Sequence, residues 1–237
     1  RAVLAADPRS LAAHEGLVWA YLRQGDLEKA GREADERLTL APQDERWRAK
    51  RIEVIHQVPG RRDEAISAAR ALVDAHPERL ESRLLLARIL SWTKGRPGEA
   101  VAEYRKAIAL APQDIEPRRE LAQTLLWEVK YGEAAAEYGG AVALAPGDRA
   151  LRRGLGRALS SAGRTGEAIR VFDELIREDP RDAEALSAQA HIARWGGDFE
   201  TAKRRMEQAA AAGLDNSQDT VELRDVARAP RLRVASR

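Results

Sequence analysis

The sequence predicts an all-α protein, a solenoid of stacked helical hairpins, and three observations predict it. Leu-Ala-Pro-Gln-Asp is written at residues 40–44 and again at 110–114, and Leu-Ala-Pro-Gly-Asp at 144–148. Prolines recur as Pro8, Pro42, Pro77, Pro112, Pro146 and Pro180, at intervals of 34, 35, 35, 34 and 34 residues, and a fixed period of that length marks a repeat architecture. The chain is 44% hydrophobic, 33% charged and only 5% aromatic, a balance that suits helices with one apolar face better than strands.

Each unit follows one plan: a first helix, a glycine turn, a second helix, then the proline. Twelve residues before each proline from Pro42 onward stands an alanine: Ala30, Ala65, Ala100, Ala134 and Ala168. A small side chain there lets two helices approach closely, and a larger one a turn later (Tyr104, Tyr138, Phe172) fills the space. Proline cannot continue the second helix, and the aspartates after it (Asp44, Asp114, Asp148, Asp182) are placed to cap the next one.

The units then run in order. Residues 1–10, opening "RAVLAADP", read as the end of a second helix whose own repeat is missing, so the chain is expected to start in the middle of an array. The first full unit, 11–44, carries Leu17-Val18, Gly25 and Ala30. The second, 45–79, has Arg51 where the others have leucine, and "QVPGRR" lengthens its turn; looseness is expected near Pro59-Gly60. The third, 80–114, is regular. The fourth, 115–148, puts Val129 in the place of the turn glycine, so that turn is expected to differ. The fifth, 149–182, carries Leu155-Gly156, Gly163 and Phe172. The sixth, 183–214, continues with Gly197, Ala202 and Met206 but has no closing proline. Residues 215–237 abandon the period and read as a polar tail or as a linker to a following domain, with a short strand-like "RLRVA".

Bulk properties exclude several classes. Forty basic and thirty-eight acidic residues nearly cancel, which gives no electrostatic footprint for nucleic acid. The longest uncharged run, Tyr138 to Gly147, is far short of a membrane span, so no membrane insertion of this segment is expected. Cysteine is absent. No two of His14, His56, His76 and His191 stand four residues apart, as a helical metal pair requires. "GLG" at 154–156 falls inside a helix and reads as close packing rather than a phosphate loop, and Ser160-Ser161 has no placed base. No catalytic, metal or cofactor site is expected.

The unit resembles the tetratricopeptide repeat, a helix–turn–helix family of 34-residue period, over nearly the whole chain. The resemblance implies a right-handed superhelical α-solenoid of about six repeats whose first helices line a concave groove. Within each first helix, Leu17 and Tyr21, Leu86 and Leu90, Leu121 and Leu125, Leu155 and Leu159 are four apart and form the core stripe. Residues two positions earlier lie on the opposite side, including Leu84 and Ser187 beside the polar positions. Four of the five tryptophans fall there, Trp19, Trp92, Trp127 and Trp195, in company with Arg23, Arg88, Arg119, Arg153, Arg157, His191 and, beside them, Arg194. Tryptophan with arginine is the hot-spot pairing of binding surfaces, able to stack sugars, grip a peptide or clamp carboxylates. The bland reading, tryptophans wedged between hairpins as packing, weighs about equally.

The segments "ARILSWTKGRPGEAVAEY", "LAQTLLWEVKYGEAAAEY" and "AQAHIARWGGDFETA" each end the first helix in tryptophan. This looks like the Trp-bearing repeats of bacterial outer-membrane exopolysaccharide export proteins such as the cellulose synthase C subunit. That resemblance implies a non-catalytic periplasmic scaffold that guides polymer or assembles the export complex, with protein partners and polysaccharide as ligands and a place in biofilm formation. A protein–protein adaptor, such as an outer-membrane lipoprotein or a pilus or secretin assembly factor, stays open, as does a cytoplasmic location.

Overall fold

The computed structural model describes residues 6–214, and the expectations for residues 1–5 and for the tail 215–237 lie outside them. Twelve helices and no strand appear among the described residues: α1 (Leu11–Gln24), α2 (Leu27–Leu40), α3 (Glu45–Gln57), α4 (Arg62–Ala75), α5 (Leu80–Ser91), α6 (Pro97–Leu110), α7 (Ile115–Trp127), α8 (Tyr131–Leu144), α9 (Arg149–Ser161), α10 (Thr165–Glu178), α11 (Ala183–Trp195) and α12 (Phe199–Ala211). They form two compact units, Arg1–Thr124 and Leu125–Arg237.

In the first unit each helix from α1 to α6 packs on the next, and α3 also touches α5. In the second, α8 through α12 do the same and α9 touches α11. First helices thus meet first helices, which makes one face of each unit a surface of first helices.

The expected junctions form. The residue before each repeating proline (Ala41, His76, Ala111, Ala145, Asp179) leaves the helical region at φ between −142° and −135°, as the proline ring demands of its predecessor. Asp44 accepts the Trp47 N–H at 3.0 Å, Asp114 that of Glu116 at 2.9 Å, Asp148 that of Ala150 at 2.8 Å and Asp182 that of Ala185 at 3.0 Å. Each such cap contributes about 1 kcal/mol.

Close approach is where the core is built. Ala30, Ala65, Ala100, Ala134, Ala168 and Ala202 are all 0% exposed, and Tyr104, Tyr138, Phe172 and Met206 are buried one turn later. Gly154 and Gly156 complete the fit: a Cβ on Gly154 would lie 2.5 Å from the Tyr138 ring, and one on Gly156 2.6 Å from the Phe172 ring. The "GLG" run is close packing inside α9.

One local expectation is corrected. Val129 does not alter its turn. It takes φ 62°, the left-handed conformation of the glycines at this place, and the Lys130 N–H still reaches the Leu125 carbonyl at 2.9 Å, as Arg164 reaches Leu159. Beside Pro59-Gly60, which are exposed, the second repeat is tied to its neighbours. Val58 is 1% exposed, and Arg51 and Arg61 grip Asp35 and Glu64 together, with Arg51–Asp35 at 2.6 Å and Arg61 at 2.7 Å from each acid. Arg51 replaces an apolar contact with a charged clasp because an acid stands ready on each neighbouring helix.

Candidate functional site

The tryptophans divide cleanly. Trp47 is core: it is 3% exposed, its Nε1–H donates to the Ala34 carbonyl at 3.2 Å, and the Arg37 guanidinium lies 4.8 Å over its ring. The other four are exposed, Trp19 by 37%, Trp92 by 52%, Trp127 by 63% and Trp195 by 80%. The cause is position. Trp127 and Trp195 are the last residues of α7 and α11, two before the left-handed turn residues Val129 and Gly197, so their rings stand beyond the end of the hairpin core. The wedge reading expected buried rings; Trp127 and Trp195 are bare.

In the first unit, Trp19 lies under the Lys50 ammonium, 4.5 Å above its ring, and Lys50 is itself paired with Glu53 at 2.7 Å. These groups line a groove of about 370 Å³ together with Glu15 and Asp44. Arg23 is exposed and carries no ion pair among the described residues. Trp92 caps α5 and tilts against His56, ring centres 6.0 Å apart. His56 is buried with its Nε2 3.1 Å from the Thr93 hydroxyl, and burial, helped by Arg62, lowers its pKa.

Three of the predicted arginines already hold protein carboxylates. Arg88 grips Glu120, with Nε at 2.8 and 2.9 Å from the two oxygens. Arg119 binds Glu116 at 2.9 Å. Arg153 reaches Asp182 at 3.2 Å and Glu184 at 3.5 Å. Burial raises the pKa of Glu120 against the pull of Arg88, while Arg119 holds Glu116 low. Burial of Asp182 is outweighed by Arg149, the Ala185 N–H and Arg153, so its pKa falls. Arg88 and Arg153 therefore tie first helix to first helix within a unit, and Arg119 is held by a carboxylate of its own helix, rather than standing ready as carboxylate clamps.

In the second unit the predicted residues converge better. A groove of about 360 Å³ between α9 and α11 is lined by Arg157, Ser160, Ser187, His191, Trp195 and Leu214. Arg157 is exposed and pairs with no acid among the described residues. Arg194 is half-buried in the last turn of α11, beside Trp195. Leu84 and Ser187, assigned to the outward stripe by helical geometry, are 7% and 9% exposed. First helices here pack on more than one side, so the buried arc is wider than a two-residue offset allows.

Family models described as tetratricopeptide repeat match residues 128–192 and, separately, residues 1–45 and 60–115, together most of the chain. Among solved structures, the chain is similar to MamA from Desulfovibrio magneticus, with TM-score 0.58 and 21% identity, covering 73% of this chain and 97% of that one. A tetratricopeptide repeat protein from Parabacteroides merdae gives TM-score 0.56 and 15% identity over 92% and 98%. YrrB, titled a TPR protein with an unusual peptide-binding site, gives TM-score 0.58 and 16% identity over 82% and 96%. Identities this low carry the fold alone. No curated protein sequence matches the chain.

Proposed function

The chain belongs to the tetratricopeptide repeat family, and on that premise we propose that it is a non-catalytic scaffold whose units each hold a ligand on the tryptophans ending their first helices. The observation that carries the reading is the exposure of Trp92, Trp127 and Trp195, at 52%, 63% and 80%, in a chain with only five tryptophans. A bare indole offers a flat apolar face with an N–H at its edge, which suits stacking on sugar rings as well as on peptide side chains.

The finer reading is the periplasmic part of a bacterial exopolysaccharide secretion system, guiding polymer or assembling the export complex. Its support is the tryptophan placement and the Trp-ended helices that resemble those export proteins. No helix among the described residues is long and apolar enough to cross a membrane. The second reading, a protein adaptor gripping a partner peptide, has its own support: Arg157 beside Trp195 in one groove provides a cation and an aromatic anchor for a peptide.

Titration with neutral, anionic and amino-sugar oligosaccharides, followed by tryptophan fluorescence, separates the two. A saturable change with one sugar class supports polymer handling. Silence with all three rejects it and leaves the adaptor, which a pull-down against periplasmic proteins would then probe.

A further inference from the structure

His14, in α1, is 4% exposed, and its Nε2 lies 3.1 Å from the Pro8 carbonyl oxygen. A carbonyl can only accept, so Nε2 carries the ring proton and donates. In a neutral imidazole this leaves Nδ1 as a bare lone pair. That lone pair faces Glu33 at 2.8 Å and Glu36 at 3.8 Å, two carboxylates three residues apart on α2.

Three electron-pair donors therefore converge from two helices, all within 4.8 Å of one another, an arrangement that can hold a proton on Nδ1 or a bound cation. A proton on Nδ1 hydrogen-bonds Glu33 and attracts Glu36 at 3.8 Å without hydrogen-bonding it. We propose that His14, Glu33 and Glu36 form a binding site for a divalent transition-metal cation of the zinc type, completed by water.

The geometry fits the ion. Zinc holds nitrogen and oxygen ligands about 2.0–2.2 Å away, which sets neighbouring ligands roughly 3–3.5 Å apart. His14 and Glu33, at 2.8 Å, stand a few tenths of an ångström closer than that and need only part slightly, and the Glu36 side chain, 65% exposed, has room to swing inward. A hydrogen bond from the non-coordinating ring nitrogen to a backbone carbonyl is the support that metal-binding histidines receive in general, since it fixes the tautomer and aims the other nitrogen. The field at the site is negative: burial opposes a charged His14, yet Glu33, the Pro8 carbonyl and Glu36 outweigh it. One imidazole with two carboxylates and no thiolate selects zinc and its neighbours over magnesium, which prefers an all-oxygen shell. The bound ion would pin the segment at Pro8 and α1 to α2.

The test is calorimetric titration of the metal-stripped full chain with zinc chloride and, separately, magnesium chloride near neutral pH. One zinc equivalent is expected, with magnesium silent at the same concentration. His14→Gln and Glu36→Gln should each weaken zinc about ten-fold or more, the scale of losing metal-site groups. Glu36 is exposed, so its variant keeps the test sound if His14→Gln disturbs the fold. His76→Gln removes a second histidine flanked by carboxylates, Glu45 at 3.7 Å and Glu78 at 3.6 Å, and should leave zinc affinity unchanged. No zinc heat, equal magnesium heat, or affinity that follows His76 instead of His14 and Glu36 would overturn the assignment.

Discussion

Val129 holds a left-handed φ of 62°, alone among the described non-glycine residues. A β-branched side chain in that region costs about 1–3 kcal/mol. Val129→Gly should relieve part of this and raise stability by about 1 kcal/mol in urea unfolding, since glycine's extra freedom in the unfolded chain offsets the rest. A loss of stability would mean that the exposed valine makes contacts worth more than its strain. Gly154 and Gly156 are the converse. Alanine at either would drive a methyl group into the Tyr138 or Phe172 ring and should cost about 1–3 kcal/mol, where a helix-propensity argument would forecast a gain. At this scale the sequence was partly legible. The repeat period marked residue 129 as a glycine position, but the period does not reveal whether a substitute bends the turn or is bent by it; hydrogen bonding across the turn decides that, and it holds valine in place.

The elements show the same division. Every helix of the described chain was legible from proline, glycine and alanine spacing, because those residues act through local backbone rules. Arg51 was not. Read against the period it is a missing leucine, while in the fold it clasps Asp35 and Glu64 across α2, α3 and α4. Arg51→Leu, which would restore the repeat pattern, should therefore lower stability by about 1 kcal/mol instead of raising it. The same clasp gives a pH signature. Arg61 first, and then Arg51, hold the Glu64 carboxyl near a pKa of about 2, below its ordinary 4.5. A depressed carboxylate stabilises the fold fully above its unfolded value and loses that contribution as pH falls from about 4.5 toward 2. Glu64→Gln should flatten the stability profile in that acid window and leave its shape above pH 6 unchanged, as thermal melts across the range would report.

At the scale of the whole molecule, repeat packing confines each hairpin's contacts to its neighbours, so stability is expected to be nearest-neighbour in character. Ala134→Leu, at a 0% exposed helix contact, should lower hydrogen-exchange protection first in α8 and α9 and leave α1 to α3 as they were. Uniform loss across the chain would show global cooperativity instead. Function was legible only in outline. Helical geometry placed Trp19, Trp92, Trp127 and Trp195 on the face away from the core, and the fold leaves Trp127 and Trp195 bare and the other two partly covered by Lys50 and His56. It could not foresee that Arg88 and Arg153 are occupied by carboxylates of the chain itself, because those pairs join residues about thirty apart; the pair of Arg119 with Glu116, three apart on α7, was within its reach. Nor could a search for paired histidines notice His14, whose companions Glu33 and Glu36 lie on the other helix of its hairpin.

The central claim is that the first-helix tryptophans are contact surface and carry little of the fold. The most direct measurement is fluorescence titration of the double variant Trp127→Ala/Trp195→Ala beside the native chain, using the oligosaccharide class that the native chain binds, or the captured partner protein if all sugars are silent. Both rings are more than half exposed, so far-ultraviolet circular dichroism and melting should be unchanged within about 0.5 kcal/mol per site while affinity falls about ten-fold or more. Undiminished affinity, or loss of helix in the variant, would contradict the account.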